Sequence, residues 1–156
     1  MFHAVAYILF ILPFTAWLGY ELKIKYSLKA YTPWLIGAFA TGIIGAVLSN
    51  LLLGKTGNFV LHASGGFAST LLFIYLIKTL NLRFSFAIST LLLFGFVCSL
   101  GVLNELLEYS VELASNWLFS FDSHDTWRDL TANTTGAVLA WSIYNLYILA
   151  RKNKVL

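Results

Sequence analysis

The sequence is short of charge. Asp, Glu, Lys and Arg make up only 11% of its 156 residues, against about 25% in an average soluble domain. A small soluble globule exposes too much surface to cover with so few charged groups, so an ordinary soluble domain is excluded. Proline is scarce too, at two residues, beside five Trp, eight Tyr and thirteen Phe. That aromatic content excludes a disordered chain. The single cysteine, Cys98, excludes an intrachain disulfide and a CxxC metal knuckle. The metal-binding spacings HxxxH, HExxH and ExxH are also missing.

What is there is apolar: 59% hydrophobic residues and a mean hydropathy of +0.78. The class that remains is an all-α polytopic membrane helical bundle. A spanning helix takes roughly 20 apolar residues. The length therefore fits one integral membrane domain, 1–156, and leaves no room for a soluble one.

Five apolar stretches appear, at about 2–20, 34–53, 59–80, 85–109 and 125–150, and each is read as a transmembrane helix. Pro13 predicts a kink in the first and Pro33 opens the second. The first stretch lacks a basic leading region and a small-x-small cleavage site, so it reads as a retained span rather than a signal peptide. The expected connections are 21–33, 54–58, 81–84 and 110–124. Within the last, 111–121 carries Trp117, Leu118, Phe119 and Phe121, a composition suited to the membrane interface.

Charge sets the orientation. Lys23, Lys25, Lys29, Lys78, Arg83, Arg151, Lys152 and Lys154 fall on one side of a five-span chain, and only Lys55 and Arg128 on the other. Four or six spans would scatter this bias. The positive-inside rule then predicts the N-terminus out and the C-terminus in the cytoplasm. The basic face is a topology signal and a contact for anionic lipid, not a nucleic-acid surface. The acids partition oppositely. Glu105, Glu108, Glu112, Asp122, Asp125 and Asp129 gather at the outer end of spans four and five, and only Glu21 lies inside.

Spacing groups these acids on helix faces. Positions 105, 108 and 112 share one face, as do 122, 125, 129 and 133. His62 lies about one turn inside the outer end of span three. A bundle joining spans three, four and five would bring His62, Glu105, Glu108, Asp125, Asp129 and Asn133 into one polar pocket, with Arg128 as the local counter-charge. So many carboxylates cannot all stay ionised in a low-dielectric site. Some are protonated, a cation is bound, or water enters. His62, Glu105 and Asp129 form the candidate metal set, and a divalent cation is the candidate cofactor.

The blander readings are specific as well. Glu112, Asp122 and His124 read as solvated. Asp122 or Ser123 would cap span five, with Asp125 near its positive end. His62 could simply bond a neighbouring helix. Ser64 and His62 fall on different helix faces, which argues against a serine hydrolase. Cys98 reads as packing. Gly37, Thr41, Gly45, Ala38, Gly42 and Ala46 form small-residue stripes for close helix contact. The sequon at Asn133 lies inside a span and should stay unmodified.

The order of these segments resembles a known family. His62 with Gly66 and Phe67, then Glu105 with Glu108, then Asp125, Asp129, Asn133 and Gly136, together resemble the VanZ-like membrane proteins and more closely the YjdF-like group of uncharacterised bacterial inner-membrane proteins. The likeness covers about residues 55–145. Gly57 and Asn58 stand where VanZ-like chains often carry an acidic-lysine pair, and the arginine that commonly follows their glutamate is missing. The resemblance implies a multi-pass protein of the prokaryotic cytoplasmic membrane and supplies no reaction.

The function expected from these features is binding, or modification, of an envelope lipid or lipid-linked precursor head group at an outward-facing pocket. A divalent cation would bridge carboxylates and phosphate. Membrane lipids are the expected partners. Two alternatives remain: an accessory or structural subunit with a membrane-protein partner, and a small proton or cation carrier.

Overall fold

A computed structural model describes Tyr20, residues 32–115 and residues 124–152. The first expected span, Pro13 and the Asp122–Ser123 cap lie outside the described residues. Four helices account for nearly everything else: α1 (Thr32–Leu52), α2 (Gly54–Thr79), α3 (Phe86–Ser115) and α4 (Asp125–Lys152). They correspond to the second through fifth apolar stretches.

Three of them are long and apolar enough to cross a membrane: α1, α2 and α3 from Phe86 to Ala114. The fifth stretch differs from its expected class. α4 has 28 residues, about 42 Å at roughly 1.5 Å each, which exceeds a hydrocarbon core of about 30 Å. Yet it is not apolar enough to join the other three, because threonines and asparagines interrupt it. Their polar groups are largely satisfied within the helix. Thr131, Thr134 and Thr135 donate to the carbonyls of Trp127, Leu130 and Thr131 at 2.7–2.8 Å. Asn145 does the same to Trp141 at 2.7 Å.

The expected loop at 54–58 is helical instead. Only Leu53 separates α1 from α2, and it reverses the chain in a left-handed conformation with φ 57°, followed by Gly54 at φ 53°. Gly57 permits this tight reversal, since a Cβ there would overlap the Ser49 carbonyl oxygen. The α1 stripe meets α2 directly: Ala38, Gly42, Gly45 and Ala46 are its buried residues. A Cβ on Gly45 would overlap the Ser64 side chain.

Past the end of α2, Asn81 turns into the left-handed region, φ 52°. The Asn81 and Leu82 amides donate back to Lys78 and Ile77 at 3.2 and 2.9 Å, the double bond of a Schellman cap. Ser85 then opens α3, its hydroxyl accepting the Ile88 amide at 3.3 Å. α3 runs six residues past its expected end at 109, to Ser115. The start of the expected interfacial segment is therefore its last turns.

α2 is the central helix, packed on α1 along one side and on α4 along another, with α3 resting mainly against α4. The α2–α4 crossing is nearly backbone on backbone. A Cβ on Gly66 would overlap the Asn133 carbonyl oxygen, and one on Gly136 would overlap that of Ala63. One half of the bundle is filled by Phe73, Ile74, Leu93, Val97, Trp141 and Tyr144. There the Trp141 indole donates to Thr90 at 3.1 Å. Ile36, Ile43, Leu91, Leu106 and Leu139 are among many exposed apolar side chains. An apolar exterior with satisfied backbone is what a lipid solvent selects. Cys98 is exposed on α3, rather than packed as the sequence suggested.

Candidate functional site

The first turns of α2, the last turns of α3 and the first turns of α4 meet at one end of the bundle. The polar residues collect there. His62 follows Gly57 and Asn58 on α2, and the close α2–α4 crossing one turn further on brings its ring to α4. His62 Nε2 stands 3.3 Å from Asp129 Oδ2, with side chains 6% and 3% exposed. Asn58 Nδ2 donates to the other oxygen, Asp129 Oδ1, at 2.8 Å. Asp129 thus faces two residues of α2, one turn apart on a single face, and is hydrogen-bonded to Asn58.

Glu105 reaches the same point from α3. One atom each from His62, Glu105 and Asp129 lies within 4.8 Å of the others. Glu105 Oε1 is buried with no hydrogen-bond partner.

The other expected pocket residues take distinct places. Glu108 is half-buried, and its Oε1 accepts from Asn104 Nδ2 at 2.8 Å, one turn back on α3. Asp125 is buried in the first turn of α4. It holds Arg128, whose Nη2 donates to Asp125 Oδ1 at 2.9 Å. Arg128 therefore neutralises Asp125 across one helical turn. Asn133 sits a turn deeper than Asp129, wedged between helices. A Cβ on Gly65 would lie 3.5 Å from its Oδ1, and one on Gly101 3.2 Å from its Nδ2. Its amide therefore rests between α2 and α3, one turn below Asp129.

Glu112 is half-buried and His124 exposed. Ser64 is occupied elsewhere, donating to the Val60 carbonyl at 2.7 Å. No nucleophile–base pair joins it to His62.

Asn58 is not legible as a site residue in the sequence, because it falls in the connection 54–58 between two apolar stretches. The available signal was its spacing to His62, i to i+4, which becomes visible once the helix is extended back to Gly54. Chemically, the arrangement offers one imidazole nitrogen and two carboxylates from three helices, held by an amide, at the mouth of an otherwise apolar bundle. It suits a cation, a shared proton or a polar head group.

The family described as "Predicted membrane protein (DUF2238)" matches residues 1–150. No curated protein and no solved structure matches significantly. The match spans almost the whole sequence and agrees with the apolar helices and apolar exterior: this chain belongs to the DUF2238 family of membrane proteins.

Proposed function

We propose that this protein spans the bacterial inner membrane five times as one domain, 1–156, and binds the head group of an envelope lipid or lipid-linked precursor in the pocket around His62, Glu105 and Asp129. The convergence of these three groups from separate helices, at the lipid–water end of the bundle, carries the reading. Polar groups at this depth are costly unless they serve a ligand or one another. Glu108, Asp125 and Arg128 rim the pocket and Asn133 closes it below. The charge asymmetry of the connections supports an outward-facing pocket, with the N-terminus out and the C-terminus in. The segment 2–20 supplies the first span. α4 supplies the fifth, its hydroxyls satisfied by its own carbonyls. The likeness to VanZ-like and YjdF-like chains supports the envelope setting.

A cation carrier fits less well. It needs a polar route through the bundle, and the opposite half is filled by Phe73, Leu93, Val97 and Trp141 among the described residues.

The test is lipid retention. Protein purified in mild detergent should carry a head-group-selective set of lipids by native mass spectrometry. Glu105→Gln with Asp129→Asn should lose that selectivity while remaining folded. Unchanged lipid selectivity in the folded double variant would sink the proposal. A stoichiometric protein partner in its place would move the accessory-subunit reading ahead.

A further inference from the structure

We infer that His62, Glu105 and Asp129 are, among the described residues, the protein ligands of a divalent transition-metal site. The inference deepens the head-group reading, since it concerns the same pocket, but it stands on its own geometry. His62 Nε2 and Asp129 Oδ2 are 3.3 Å apart. Two donors at about 2.0–2.2 Å from a tetrahedral metal are separated by about 3.3–3.6 Å. A donor atom of the third group, Glu105, lies within 4.8 Å of both.

Two further observations point to a ligand rather than to a simple ion pair. Glu105 Oε1 is buried without a hydrogen-bond partner. A His62–Asp129 pair alone leaves that atom unsatisfied, whereas a cation between the three groups satisfies it. Asn58 holds Asp129 Oδ1 at 2.8 Å, which leaves Oδ2 turned toward His62. An outer partner that fixes a ligating carboxylate in this way is a recurrent part of metal sites.

The donor set sets the metal class. An imidazole with two carboxylates suits Zn, Mn or Fe(II) better than Ca or Mg, which favour all-oxygen sites. Three protein ligands leave a coordination position open. The bound cation also resolves an electrostatic conflict. A pocket of carboxylates repels a phosphate, whereas a divalent cation among them reverses the local sign and can accept a phosphate oxygen at its open position.

Metal content and lipid retention are measured on the same detergent-purified protein. Elemental analysis should find near-stoichiometric metal. After stripping with a chelator, Zn2+ or Mn2+ should rebind and raise thermal stability, and Co2+ should give an absorption spectrum that His62→Gln alters. Glu105→Gln and Asp129→Asn should abolish retention, and Glu112→Gln should leave it intact. Asn58→Ala keeps all three ligands and guards against a folding artefact. It should weaken affinity about 10–100-fold. Folded wild-type protein that neither retains nor rebinds Zn2+ or Mn2+ overturns the inference. The two readings separate cleanly. Metal bound by wild-type protein, with lipid selectivity unchanged in the folded double variant, upholds the site and defeats the head-group proposal. Lipid retained by metal-free protein, and lost in the variants, does the reverse.

Discussion

Gly66→Ala is the sharpest test of how the fold holds its site. A Cβ at position 66 would lie 2.6 Å from the Asn133 carbonyl carbon and 2.8 Å from its Cα. Ordinary contact begins near 3.4 Å, so α2 and α4 must part by roughly 1 Å. The obstacle is backbone, which no rotamer change can move. Overpacking of this kind costs about 1–3 kcal/mol, and a gap of about 1 Å forfeits up to half of the dispersion well for each facing atom pair. The same movement stretches the 2.8 Å Asn58–Asp129 bond beyond hydrogen-bonding range. Gly95 on α3 is the matched control, because a Cβ there meets nothing within 4 Å. Gly95→Ala gains helix propensity of up to about 1 kcal/mol. The same substitution should therefore act with opposite sign at two glycines, the variants differing by about 2–4 kcal/mol on these terms. Reversible unfolding of both variants in one detergent, followed by circular dichroism, measures this. Equal stability for Gly66→Ala and Gly95→Ala would refute the close α2–α4 crossing and the site geometry that depends on it.

Arg128→Gln leaves Asp125, whose side chain is 6% exposed, as a buried carboxylate without its guanidinium. Arg128 is itself a third exposed, so water softens the loss to about 1–3 kcal/mol. Adding Asp125→Asn should recover most of it in a double-mutant cycle, and additive losses would show that the two do not act as a pair. For topology, a reporter fused after Leu156 should be active only when it is a cytoplasmic type, and a cysteine introduced at Asn58 should react with an impermeant reagent from outside. The opposite pattern for both would invert the membrane orientation and turn the pocket to the cytoplasm.

The membrane class and the positions of four helices were legible in the sequence, for a simple reason. Low charge and runs of apolar residues report the solvent a chain must satisfy, and that requirement is local. The stripe of Ala38, Gly42, Gly45 and Ala46 announced a close helix contact for the same reason, since small residues at helical spacing leave a groove wherever the partner comes from. Other features depended on a neighbour. Residues 54–58 read as a connection because they separate two apolar stretches. In the fold, Gly57 is the clearance that lets α2 begin beside Ser49. Asn133 read as a pocket residue from its register with Asp129, but the glycines of two other helices determine where its amide rests. Cys98 lies in an apolar run that says nothing of which side faces inward.

The candidate site divides along the same line. Composition and spacing alone placed His62, Glu105 and Asp129 at a common depth, because the length of a span fixes height in a membrane. Depth does not fix rotation. Which faces turn together is decided by the contact of Gly66 with the Asn133 backbone and of Gly136 with that of Ala63. That contact brings His62 and Asp129 to 3.3 Å, while Arg128 pairs with Asp125 inside α4 itself. The sequence determined a membrane bundle with polar groups gathered at one end. Only the tertiary structure decided which of them meet, because a pairing across helices depends on how closely two backbones approach.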